Sequence, residues 1–394
     1  MSLFRAALVL GLLSAVGPFA IDMFLPAMPA IAADLAVSET ATQATITAFF
    51  ISFGLAQLIY GPWSDQVGRK LPLYVGLTIF SLASIGCAMA DNIVTLTALR
   101  FVQGIGASVV MVVPRAVIRD MLTGNAATRL MALVMLVISV SPMLAPLAGS
   151  IVLAFAEWRV IFWVLAGGAV LSLALTAALQ PETLPVEKRV PINLASLWRG
   201  AGILLRDRTF LGMTFIGGFG MASFFVFIAS APFVYSGQYG LTPTGFSIAF
   251  AVNAVGFFGA SQLAARLGEQ LGPEKVIRRA VMGFAAFTTL LLVLTLSGFA
   301  SLYVLIGCLF LGNACLGLVI PTTMVLALDP HGEIAGLASS LGGTMQMLAG
   351  GAMIALVGPF FDGTALPMVV AIAICAWVAF GLSRLLVSEQ AAVA

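Results

Sequence analysis

The sequence predicts an all-α membrane protein whose twelve transmembrane helices form two six-helix bundles. Three observations carry this. Of 394 residues, 61% are hydrophobic, enough for roughly twelve stretches of the ~20 residues that cross a bilayer as helix. Only 9% are charged, against about 25% in a soluble domain. The apolar runs are continuous, whereas the strands of an outer-membrane barrel alternate. Together these exclude a soluble enzyme, a nucleic-acid binder, a disordered chain and a barrel.

Charges and turn residues delimit spans near 6–31, 43–62, 71–90, 95–118, 129–153, 159–179, 209–233, 244–266, 277–297, 301–326, 334–357 and 366–387. The loops then sort by charge. Arg69, Lys70, Arg119, Arg129, Arg266, Lys275, Arg278, Arg279 and Arg384 fall on one side with the bases of a central linker. Asp34, Glu39, Asp91, Glu157 and Asp362 fall on the other, where Arg159 is the lone base. The positive-inside rule makes both termini cytoplasmic, as an even number of spans requires. The first apolar run is too long for a cleaved signal segment and is expected to remain as a span.

Residues 1–179 are expected to form the first bundle, 180–208 a cytoplasmic linker and 209–394 the second bundle. In the linker, Ile192, Leu194, Leu197, Trp198, Leu204 and Leu205 fit a short interfacial helix or a solvated connection. An internal repeat supports the two halves. Asp65-Gln66-Val67-Gly68 follows the second span, and Glu269-Gln270-Leu271-Gly272 follows the eighth, 204 residues later.

Cys87, Cys308, Cys315 and Cys375 each lie within an apolar run and read as small hydrophobes; His331 is the single histidine. No metal site or cofactor is expected.

Away from the helix ends the spans contain two ionisable residues, Asp22 and Arg100. Asp22 lies about 18 Å of helix from Asp34, and Arg100 about 13 Å from Asp91, at about 1.5 Å per residue. Both therefore sit in the outer half of the bilayer. A charge at that depth is costly and marks a pathway or relay. Asp22 is the candidate proton carrier, with Arg100 tuning it; a static ion pair between spans one and four is the alternative. The neutral polar residues at depth are Gln57, Tyr60, Gln103, Asn253, Asn313 and Gln346. As a set they can orient a ligand, although buried amides more often join helices. Phe19, Met23, Phe49, Phe53, Met111, Met135, Phe225, Phe257 and Met345 are candidate walls of a substrate cavity. Any single one is more often packing.

The strongest local signal is the cytoplasmic loop Gly61-Pro62-Trp63-Ser64-Asp65-Gln66-Val67-Gly68-Arg69-Lys70. Gly61 and Gly68 permit close approach or unusual backbone angles. Asp65 can face a helix N-terminus. Arg69 can pair with Asp120, giving a latch between the two halves. This loop resembles the signature loop of the major facilitator superfamily, with Gln66 where a base is usual.

Other segments extend the resemblance. Arg100-Phe101-Val102-Gln103-Gly104-Ile105-Gly106 resembles the span-four motif of proton-coupled members. The run Ser141 to Ser150, containing Ala145, Pro146 and Gly149, resembles the antiporter motif with three glycines replaced by Ser141, Ala145 and Ser150. Pro181-Glu182-Thr183 resembles the usual end of span six. Ala20-Ile21-Asp22-Met23-Phe24-Leu25-Pro26-Ala27-Met28-Pro29 resembles the Bcr/CflA drug-resistance subfamily. Phe224 to Pro232 resembles the phenicol exporters within it.

The resemblance implies a monomeric drug:proton antiporter of the bacterial inner membrane that works by alternating access. Its partners would be a small-molecule drug, protons and membrane lipid, with no nucleic acid. Some related multidrug exporters carry a second acid two turns before the span-one Asp; here Ser14 stands there. A neutral or zwitterionic substrate, such as a phenicol, is therefore expected, with export of a metabolite such as an amino acid or nucleoside as the alternative.

Overall fold

The structure, a computed structural model, describes residues 3–122 and 124–393. It divides into two compact units, Met1–Leu194 and Ala195–Ala394. The boundary falls inside the expected linker.

The first unit begins with α1 (Leu3–Asp22), a 3-10 turn (Leu25–Ala27) and α2 (Met28–Asp34). Span one is therefore broken, where the sequence reading has one run over 6–31. The cause is local. Pro26 has no N–H to offer the Asp22 carbonyl four residues back, and Pro29 has none for Leu25. The last regular bond joins the Met23 N–H to the Phe19 carbonyl at 3.1 Å, and the turn closes with Ala27 N–H to Phe24 carbonyl at 3.0 Å. Next come α3 (Glu39–Val67), α4 (Lys70–Ala88), α5 (Ile93–Met121), α6 (Gly124–Phe155) and α7 (Arg159–Leu179).

The second unit comprises α8 (Leu194–Leu204), α9 (Arg208–Phe233), a π-helical turn (Val234–Gln238), α10 (Pro243–Ser261), α11 (Ala264–Leu271), α12 (Pro273–Leu296), α13 (Leu302–Leu328), α14 (Ala335–Val357) and α15 (Ala365–Val393). Among the described residues, 11 helical stretches are long and apolar enough to cross a membrane. One of them, Leu302–Phe360, has 59 residues, or about 88 Å as straight helix, too long for a single crossing. A 3-10 segment, Asp329–Ile334, interrupts it, with His331 at φ −118° and ψ 35°. Counting its two halves separately gives twelve spans.

The two units pack their spans in the same pairs. In the first, α1 packs on α6, α3 on α5, and α4 on both α5 and α7. In the second, α9 packs on α14, α10 on α13, and α12 on both α13 and α15. Helix starts repeat as well. Ser38 Oγ accepts from the Ala41 N–H (3.2 Å) to cap α3, and Thr242 Oγ1, again 204 residues on, accepts from Gly245 (3.1 Å) to cap α10. These side chains satisfy N–H groups that have no partner within the helix. Gly68 (φ +99°) and Gly272 (φ +84°) both adopt a positive φ at the ends of the repeated tetrapeptides.

Candidate functional site

The break in span one organises the first unit. Asp22, the last residue of α1, is 4% exposed, and Arg100 on α5 is 0% exposed. Arg100 Nη1 donates to the Ala20 carbonyl (3.1 Å) and to Gln103 Oε1 (2.5 Å). Gln103 Nε2 donates to Ser84 Oγ (2.7 Å), whose hydroxyl donates to the Phe80 carbonyl (2.7 Å). The guanidinium lies 4.5 Å from the ring centroids of both Phe24 and Phe49, and 5.9 Å from that of Phe162. Its charge is met by the negative end of the α1 dipole and by aromatic faces. Among the described residues no ion pair joins Arg100 to Asp22. The static pair considered from sequence is absent from this conformation, which leaves the Asp22 carboxyl without a fixed cation.

The antiporter-like motif meets the same break. Ala145 and Pro146 are buried, and Gly149 abuts the Met23 carbonyl so closely that any Cβ there would collide with it. Glycine at 149 therefore lets α6 pack against the unwound backbone beside Asp22. The far end of the broken segment is held at Asp34, whose Oδ2 accepts from Arg159 Nη1 (2.8 Å) and Trp158 Nε1 (3.0 Å). Arg159 also donates to the Ala90 carbonyl at 3.3 Å.

At the other end of the first bundle, Arg69 is buried and fully engaged. Its Nε and Nη2 donate to the two oxygens of Asp120 (2.7 and 3.3 Å), and its Nη1 to Asp65 Oδ1 (2.6 Å) and Ser64 Oγ (2.8 Å). Burial works against the guanidinium charge, but the hydrogen bonds and charges of Asp120 and Asp65 win, and its pKa is raised. Asp120 sits at the C-terminal end of α5, where the dipole disfavours an anion, so Arg69 offsets that cost.

Glu182 completes the cluster. Its Oε1 accepts from the Arg69 and Leu184 backbone N–H groups (2.9 and 3.0 Å), and its Oε2 from Lys70 N–H (3.1 Å). Burial pushes its pKa up, yet these backbone donors outweigh burial and hold it below the usual glutamate value. Thr183 donates to Asp120 (3.3 Å), and Val190 N–H to the Asp65 carbonyl (3.0 Å). The residues it joins all belong to the first unit: the cluster clasps the ends of α3 and α5 and the start of α4 to the chain leaving α7, where the sequence reading expects a latch between the two halves. Gly68 is required here: a Cβ would lie 2.6 Å from Glu182 Oε2. Gly61 is half-buried and Gln66 exposed.

The remaining candidates are distributed as follows. Phe49 stacks on Phe53 (5.8 Å) and serves the Arg100 cage. Tyr60 is buried beside Trp63; Met23 is buried, and Phe19, Met111 and Met135 are half-buried. In the second unit Asn253 and Asn313 are buried, and Asn313 Nδ2 donates to Asn253 Oδ1 at 3.4 Å. Phe257 stacks on Phe224 at 5.3 Å, and Phe225 packs on Gly350. Gln346 lines a cavity of about 40 Å³ with Phe210, Thr214 and Thr323. Drug sites are typically several hundred Å³, so this cavity is too small for one in this conformation.

Several groups in this geometry lie outside the set named from sequence, among them Phe162 and Ser84 beside Arg100 and Gln103, Glu182, and the Asp34–Trp158–Arg159 tie. Glu182 is visible there only as part of the span-six ending. The Asp34–Trp158–Arg159 tie has as its signal a lone base on an otherwise acidic side.

Two bundles of six spans with matching internal pairing, and a carboxyl at an intramembrane helix break, define a membrane carrier rather than an enzyme. The chain belongs to the Major Facilitator Superfamily, whose family profile matches residues 10–355. It is 38% identical over 364 residues to an uncharacterized MFS-type transporter, YdgK, of Bacillus subtilis, covering 92% of this chain and 90% of the relative. It is 31% identical to a bicyclomycin resistance protein homolog of Haemophilus influenzae, covering 95% of this chain and 94% of that one. A chloramphenicol resistance protein of Pseudomonas aeruginosa is 28% identical, with 97% and 90% covered. Among solved structures, a D-xylose-proton symporter superposes with a TM-score of 0.76 at 16% identity, covering 96% of this chain and 98% of that one. That likeness speaks for the fold alone.

Proposed function

We propose that the chain is a proton-coupled exporter of small neutral or zwitterionic drugs in the bacterial cytoplasmic membrane, with both termini cytoplasmic. The observation that carries this reading is Asp22, a buried carboxyl at a helix break with no ion-pair partner among the described residues. Half-helix ends at such breaks are where carriers of this kind hold protons and ions. The names of the relatives, two of them antibiotic-resistance proteins, support drugs as cargo. A phenicol fits the absence of a second intramembrane acid at Ser14.

The energetics suffice. One proton moving down 100 mV supplies about 2.3 kcal/mol, and one unit of pH adds about 1.4. Together these sustain a gradient of a few hundredfold for a neutral solute exchanged one for one. Arg100 steadies the break in this scheme, and Gly149 lets α6 follow it.

Proteoliposomes with an acidic lumen and a pH-sensitive dye test the proposal. Chloramphenicol added outside is expected to cause protein-dependent lumen alkalinisation, and Asp22→Asn to abolish it. No response to any phenicol, with a response to an amino acid or nucleoside, would replace drug export with metabolite export.

A further inference from the structure

The segment that joins the bundles ends in a helix with two apolar faces. On one face of α8, Gly200 and Leu204 are buried and Leu197 is half-buried. Leu204 belongs to the cytoplasmic-end core of the second unit, with Phe210, Ile277 and Ala338, and Gly200 packs on Leu337. The other face carries Leu194, Trp198 and Leu205 at helical spacing, exposed by 66%, 77% and 49%. Leu205 follows in a turn on the end of α8, its N–H donating to the Ala201 carbonyl at 2.9 Å. Three residues separate the end of α8 from Arg208, where the next span starts, capped by Asp207 through the Thr209 and Phe210 N–H groups (2.6 and 2.9 Å). A helix pinned at Leu204 and leading at once into a span cannot leave the membrane boundary. Arg199 and Arg206 are exposed beside the apolar stripe.

We infer that α8 docks flat on the anionic surface of the cytoplasmic leaflet. Leu194, Trp198 and Leu205 enter the acyl boundary, and Arg199 and Arg206 meet lipid phosphates. A Trp at headgroup depth with flanking Arg matches what such boundaries select. Basic residues near an anionic surface each contribute about 1 kcal/mol, or about fivefold in lipid affinity.

The test uses the full chain in nanodiscs, with the signal of Trp198 taken as the difference between wild type and Trp198→Phe. Acyl-brominated phosphatidylcholine is expected to quench this signal, and aqueous iodide to leave most of it. Quenching by iodide and not by bromolipid would make the segment a solvated linker and overturn the inference. Protection from both quenchers would mean that a protein, or a second copy of the chain, covers the face, and would overturn it equally. In discs containing phosphatidylglycerol, Arg199→Gln with Arg206→Gln is expected to lower co-purified anionic lipid by about fivefold per arginine at low salt. Unchanged retention would remove the phosphate contacts.

Discussion

The loops after spans two and eight share a backbone and differ in chemistry. Gly68 and Gly272 make the same positive-φ turn 204 residues apart. In the first, the following helix is capped by the carboxylate of Glu182, and Arg69 gathers Asp65 and Asp120. In the second, Pro273 stands where Arg69 does. A proline at the first helical position needs no acceptor for a missing N–H. The two copies thus share the turn, and among the described residues the charged clasp gathers on the first of them. Charge is skewed at depth as well: Asp22 and Arg100 are buried in the first bundle, and among the described residues the buried polar groups of the second, such as Asn253 and Asn313, are neutral.

Removing the clasp's centre should have the largest effect. Arg69→Ala leaves Asp120 and Asp65 facing each other and is expected to cost about 3 kcal/mol. Pro273→Ala, its counterpart, should stay within about 0.5 kcal/mol. Thermal unfolding of the two purified variants measures this, and equal losses would erase the asymmetry.

The glycines give a finer test. Both Gly68→Ala and Gly272→Ala force an L side chain into positive φ, at about 1 kcal/mol. Gly68→Ala also drives a Cβ against Glu182, while nothing lies within 4 Å of the Gly272 position. A further loss of about 1–2 kcal/mol is expected at 68 alone. Smaller still is Asn313→Ala, which removes a long 3.4 Å bond and should cost about 0.6 kcal/mol, with drug transport reduced less than twofold.

Acid should loosen the first loop and spare the second. The folded-state pKa of Glu182 is depressed, so its bonds stabilise the clasp above the ordinary glutamate range and are lost as pH falls through the lowered value. Hydrogen exchange at the Arg69 and Lys70 amides should therefore be slow at pH 7 and speed up below about pH 4 beyond the intrinsic trend. The Val276 and Ile277 amides should follow the intrinsic trend alone.

The twelve spans and their division into halves were legible because continuous apolar runs leave few alternatives. Arg69 with Asp120 was legible because the loop carries a dense, recognisable pattern. The break in span one was present in the sequence as Pro26 and Pro29, but the length of the apolar run outweighed two prolines. The Arg100 environment could not be read, because a charge census looks for a carboxylate, and this cation is held by a carbonyl and ring faces. Glu182 reaches across more than a hundred residues to its amides, a distance that only the fold closes.

Asp22 is proposed to carry the proton that drug binding releases. Purified protein in weakly buffered detergent with a pH indicator tests it directly. Saturating chloramphenicol is expected to release about one proton per transporter in the wild type and none in Asp22→Asn, with Asp65→Asn unchanged. Equal release from Asp22→Asn and wild type would contradict the account and place the proton on another group.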